Sequence, residues 1–218
     1  MKILNYNLNN IRYSNIMSVI TFYNDNAVNF SKTRVFPWPS TREFLDKIEN
    51  GKKVLDIGCG NGRNLFYRDN IDIIGLEISD ELCDIVKKKG GKVILGNMTE
   101  LPFEDNTFDY IICVAVYHHL NNNNDRKKSL SEIFRVLKSN GVAFIQVWAM
   151  EQPFNSRRKF LNRDQLVPWK NKNGDIFNRY YRIYPKGELE KEILKLESRF
   201  KIESIIYEEG NWINLLKK

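Results

Sequence analysis

The sequence predicts a doubly wound α/β fold: a mostly parallel seven-stranded sheet with an antiparallel C-terminal strand and a basic insertion after the fifth strand. Three observations predict it. Apolar runs of five to nine residues alternate with helical patterns from Lys53 onward. The fourth run, Phe108 to Val116, is almost continuously apolar, as a strand buried on both faces should be. The first run leads straight into Gly58-Cys59-Gly60-Asn61-Gly62, whose alternate glycines let the backbone bend sharply and a ligand approach closely.

Taken in order, residues 1–18 are polar and Asn-rich and read as a disordered extension, with Met17 a second candidate start. Ile20, Phe22, Tyr23, Ala27 and Phe30 then fall on a helical pattern. Pro37 and Pro39 stiffen the following loop, and Ser40 or Thr41 is a candidate cap for a helix to about Glu49. The core follows as strand 53–57, helix 61–68, strand 71–77, helix 80–89 capped by Asp80, strand 92–96 at a sheet edge, strand 108–116, helix 125–137 and strand 142–149. Residues 150–183 break the alternation and read as an insertion. Helix 188–198 and a strand pair, 201–208 and 211–216, complete a single domain over 19–218.

Composition excludes several classes. The 218 residues can bury a good core. No apolar run reaches membrane-span length, so no membrane partner is expected, and the first residues lack a signal-peptide core. Cys59, Cys83 and Cys113 are scattered, and His118 and His119 are the only histidines, so neither a disulfide framework nor a metal site is expected. Reduced, intracellular residence is the default. The net charge of +7 is carried by Ser156 to Lys186, which hold nine basic and two acidic residues, leaving the rest neutral. A local basic patch points to a polyanionic partner, with a solvated charged loop as the plainer alternative.

Asp56 lies near the end of the first strand, where ligands bind in open α/β sheets. The spacing is G-x-G-x-G, not the G-x-G-x-x-G of dinucleotide binders, and a carboxylate there suits a ligand with amino groups or positive charge. Glu77, at the end of the second strand, is placed to accept both hydroxyls of a ribose. A nucleotide-binding turn of another kind remains the alternative. Glycine turn and ribose acid together resemble the class I (Rossmann-like) S-adenosylmethionine-dependent methyltransferases. The resemblance implies S-adenosylmethionine as cofactor, bound by Asp56, Gly58, Cys59, Gly60, Asn61, Gly62, Glu77, Ile78, Asn97, Met98 and Val114. Asn97 stands where such proteins have Asp and can still accept from an exocyclic amine; Met98 can cover the base. His118 and His119, after the fourth strand, face the substrate in this reading, His118 foremost.

Three further segments narrow the resemblance: Phe30 to Pro39 with Arg34 and Trp38, Val147 to Gln152 with Trp148, and Arg179 to Leu189. Val167-Pro168-Trp169 and Asn211-Trp212 add to them. Together they resemble the eukaryotic tRNA wobble-uridine carboxymethyl methyltransferases from about Thr21 onward; Tyr117 and Asn97 depart mildly. The resemblance implies methyl esterification of a carboxymethyl group on uridine. Arg34 then orients the carboxylate, with His118 and Tyr181 sharing the task; a structural contact pinning the proline loop is the alternative for Arg34. Trp38, His119, Trp148, Arg157, Arg158, Lys159, Trp169, Lys170, Arg179 and Tyr180 are the expected contacts to substrate and the tRNA anticodon stem-loop. The family also implies a small zinc-binding activator subunit at the 92–96 edge, and residence in the cytoplasm, with the nucleus as a second compartment. Two rival readings are a small-molecule methyltransferase of the quinone or sterol kind, which leaves the basic insertion idle, and an inactive RNA-binding protein, which Asp56, the three glycines and Glu77 disfavour.

Overall fold

The structure is a computed structural model and describes residues 15–170 and 174–218; the extension up to residue 14, and Lys172 of the basic segment, lie outside the described residues. Seven strands form one sheet: β1 (Lys53–Ile57), β2 (Asp72–Glu77), β3 (Val93–Leu95), β4 (Phe108–Val114), β5 (Leu137–Trp148), β8 (Lys201–Glu208) and β9 (Asn211–Lys217). Their order is β3-β2-β1-β4-β5-β9-β8, parallel from β3 to β5, with β9 antiparallel to both its neighbours. The doubly wound sheet and its reversed C-terminal strand are thus as the sequence predicts, and β3 is an edge.

Alternate residues of each strand feed opposite cores. Leu55, Ile57, Ile111 and Ile145 pack with Leu130 and Ile133 of α4 (Asn123–Val136) and with Leu189 and Ile193 of α5 (Glu188–Leu196). Val54, Ile112, Phe144 and Ile213 pack on the other face with Leu45 of α2 (Pro39–Asp46) and Val86 of α3 (Asp80–Lys88). The caps differ from expectation. Ser79, not Asp80, accepts from the Leu82 N–H at the start of α3. Ser40 sits inside α2 and donates its N–H and hydroxyl to Glu208, anchoring α2 to β8.

The helix expected over 61–68 does not form. Gly58, Gly60 and Gly62 all adopt left-handed φ, and the Asn64 amide turns inward to donate to the Asp56 carboxylate at 3.1 Å. The Arg68 guanidinium then fastens the segment to the carbonyls of Leu45 and Ile48. Side-chain bonds into the core replace the helical ladder.

Two elements build outward from this frame. α1 (Asn15–Lys32) begins earlier than the predicted helix and packs against α3 and against the strand Ile176–Arg182. The insertion carries an antiparallel hairpin of β6 (Asp164–Lys170) and β7 (Ile176–Arg182). Trp169 and Phe177 of the hairpin meet Phe22 of α1 edge-on, with centroids 5.1 and 5.8 Å away.

Candidate active site

A cavity of about 410 Å³ opens beyond the C-terminal ends of β1, β2 and β4. The glycine turn and Glu77 form its floor, α1 and the turn after it one wall, and Trp148 with β7 the other.

The floor is held together by its own hydrogen bonds. The N–H groups of Gly58 and Cys59 donate to the Leu76 carbonyl, and that of Gly62 to Cys59. Gly60 donates to one oxygen of Glu77 at 2.8 Å, while Ile78 and Ser79 donate to the other at 2.8 and 3.0 Å. The turn amides therefore fix the carboxylate instead of facing a ligand. The Glu77 oxygen that accepts only from Gly60 keeps lone-pair capacity for a hydroxyl in the cavity. Burial pushes its pKa up, opposed by these N–H bonds.

Of the expected cofactor residues, Gly58, Gly60, Asn61, Glu77, Ile78, Asn97, Met98 and Val114 line the cavity. Three do not. Asp56 lies behind the glycine turn, 1% exposed, one oxygen bonded to Asn64 and the other without a protein partner. Burial raises its pKa to about 7. Cys59 packs into the core, where a Cβ added to Gly75 would come within 2.4 Å of its sulfur. Gly62 faces Phe66 and Val86, and a Cβ there would approach the Phe66 ring to 2.8 Å, so it serves packing. Asn61 does line the cavity, but its amide donates to the carbonyls of Ser31 at 3.0 Å and Arg34 at 2.9 Å. It clamps the turn that carries Arg34. The Asn97 side-chain oxygen accepts from the Thr99 N–H at 3.0 Å, so its remaining lone-pair capacity and its NH₂ face a ligand.

On the substrate side, Arg34, Arg158 and Arg179 line the cavity around Tyr181. None of the three pairs with a carboxylate among the described residues; aromatic rings support them instead. Arg34 lies over Phe30 at 4.5 Å, Arg158 over Trp148 at 4.2 Å, and Arg179 over Phe22 at 4.6 Å and Tyr181 at 5.2 Å. Burial lowers the pKa of Arg34 and Arg158 and raises that of Tyr181, which stays protonated. Tyr181 stacks on Trp148 with centroids 4.2 Å apart. Trp38 also lines the cavity.

The two histidines exchange roles relative to expectation. His119 lines the cavity: its Nδ1–H donates to the Tyr180 carbonyl at 2.9 Å, leaving Nε2 to accept from the Tyr23 hydroxyl at 3.4 Å. Burial, then Arg179, push its pKa down to about 3. His118 is fully buried behind it, accepting from the Trp148 N–H at 3.2 Å, and is a scaffold residue. Tyr180 is corrected likewise, its hydroxyl bound to Asp164 away from the cavity. Trp169 braces α1 through Phe22. Arg157, Lys159 and Lys170 are exposed outside the cavity.

Sequence reasoning missed Tyr23, Phe30 and Arg63 as cavity residues. Their contact with the site comes from packing of α1 and the glycine turn, which no local pattern reports. For Arg63, burial lowers the pKa to about 10 against the pull of Asp56.

The lining fits a nucleoside-bearing cofactor: Glu77 offers a carboxylate acceptor to a diol, Met98 and Ile78 an apolar seat, and Gly60 leaves open space that a Cβ would narrow against Phe30 at 3.4 Å. The fold and this site define a class I S-adenosylmethionine-dependent methyltransferase. A family profile described as a methyltransferase domain matches residues 55–145. The chain is 33% identical to a Schizosaccharomyces pombe tRNA (carboxymethyluridine(34)-5-O)-methyltransferase, over 90% of this chain and 94% of that protein. It belongs to this methyltransferase family. A Xenopus tropicalis relative with the same descriptor is 28% identical over 90% of this chain, and the chain spans only 40% of that longer protein. It spans 32% of an Arabidopsis thaliana relative, at 40% identity. Solved structures share the fold: a Burkholderia thailandensis 1,6-didemethyltoxoflavin-N1-methyltransferase superposes with TM-score 0.66 at 15% identity, covering 100% of this chain and 93% of that one.

Proposed function

We propose that the protein methylates the carboxylate of a carboxymethyluridine in tRNA, forming a methyl ester. One observation carries the reading: three arginines with no carboxylate partner among the described residues converge in the cavity, beside the seat for the cofactor. Bound S-adenosylmethionine supplies an electrophilic methyl group on a sulfonium. The chain's own residues then have a positioning task. A carboxylate is already ionised at neutral pH, so no general base is needed. Arg34 and Arg179 hold it as forked donors, and Tyr181 adds a hydroxyl. His119, neutral and fixed as the Nδ1–H tautomer, adds no competing charge. Arg157, Lys159 and Lys170 extend positive charge outward for RNA phosphates. The zinc-binding activator is assigned to the β3 edge, where Leu95 is 55% exposed. Cytoplasmic residence, where tRNA is modified, completes the reading.

The reading is tested with tRNAs differing only at the wobble uridine. Methyl transfer to the carboxymethyl form, absent from the plain-uridine and carbamoylmethyl forms, supports it. Equal transfer to all three contradicts it. Arg34→Ala should lower kcat/KM about 100-fold while S-adenosylmethionine binding persists.

A further inference from the structure

A second cavity, about 430 Å³, has no part in the reaction described. It is lined by Arg163, Arg182, Lys186, Lys191 and Lys195, with Glu188 and Glu192 the only acids, an excess of three positive charges. Both acids are already engaged. Glu188 pairs with Arg163 at 3.0 Å and Arg182 at 2.7 Å. Glu192 pairs with Arg126 at 3.2 Å and Arg182 at 3.3 Å and accepts from the hydroxyls of Tyr117 and Tyr184. Lys186, Lys191 and Lys195 form no ion pair among the described residues, and all three are exposed. Lys191 and Lys195 stand one turn apart on α5 and share a face.

Strand β7 relates the two cavities. Arg179 and Tyr181 line the first, whereas Arg182, on the opposite side of the strand, lines the second. Arg179 and Arg182 are three residues apart, roughly 10 Å along a strand. An RNA chain whose modified base enters the first cavity therefore has neighbouring phosphates within reach of the second.

We propose that this second cavity is a phosphate-binding subsite for the backbone of the same RNA, gripped by Lys186, Lys191 and Lys195. The proposal rests on the tRNA reading above. Its test uses the full-length chain and two substrates, tRNA carrying carboxymethyluridine and the free carboxymethyl nucleoside. Lys191→Glu with Lys195→Glu should weaken tRNA binding roughly tenfold at low salt and flatten its salt dependence by one to two units of slope, about one per lost phosphate contact. Turnover of the free nucleoside should be unchanged. The charge reversals Lys87→Glu and Lys88→Glu on α3 serve as control and should have little effect. Unchanged tRNA affinity, an equal loss in the control, or reduced nucleoside turnover would each overturn the subsite. A parent protein that leaves tRNA unmethylated overturns the function reading itself, and that outcome is seen before any variant is compared.

Discussion

His118 and His119 are adjacent in sequence and opposite in role, because a single turn of 3₁₀ helix aims one ring into the core and the other into the cavity. The residue types were legible as site candidates; their assignment was not, since it depends on Trp148 and Tyr180, far away in sequence. With the pKa of His119 near 3 and that of His118 well below its usual value, both stay neutral in the working range. The kcat/KM profile should therefore be flat from pH 5 to pH 8, with no inflection near 6.5. Asp56 behaves differently. Its folded pKa of about 7 exceeds the ordinary carboxylate value, so the folded state binds a proton that the unfolded state has released. Stability should fall as pH rises from 4 to 7 by a few kcal/mol at most. Asp56→Asn, measured by denaturant titration, should lose that slope and gain on the parent above pH 7.

At the scale of elements, the site is built by segments that local pattern describes least well. The parallel strands were legible from their apolar runs, and the C-terminal pair was legible as two strands. The 61–68 segment was misread because positive-φ glycines and the Asn64–Asp56 bond override a weak helical pattern. The β6–β7 hairpin was hidden because β6 has no buried residue and Pro168 marks an edge. Yet α1 and this hairpin supply Tyr23, Phe30, Arg179 and Tyr181, four cavity residues from outside the sheet. Phe22, 2% exposed, joins them by meeting Trp169, Phe177 and Arg179. Phe22→Ala should cost about 3 kcal/mol in denaturant titration and raise KM for RNA more than it weakens cofactor binding.

For the molecule as a whole, the sheet gathers both functions on one rim. The cavity lies at the ends of the parallel strands, and Glu77 lines it there. The surplus charge lies on the insertion, which also supplies Arg158, Arg179 and Tyr181 to the cavity at that rim. Charge count singled out the basic segment from Ser156 to Lys186. Only the fold could show that two of its arginines, Arg158 and Arg179, turn inward to join Arg34, none of them with a carboxylate partner among the described residues. That contrast separates the central claim, carboxylate methylation, from methylation of a base or ribose. The most direct measurement loads tRNA bearing unmethylated carboxymethyluridine with labelled methyl groups and then exposes it to mild alkali. The account predicts that the label is released at once, as from an ester, and is absent with Arg34→Ala. Label that survives alkali on the RNA would contradict it.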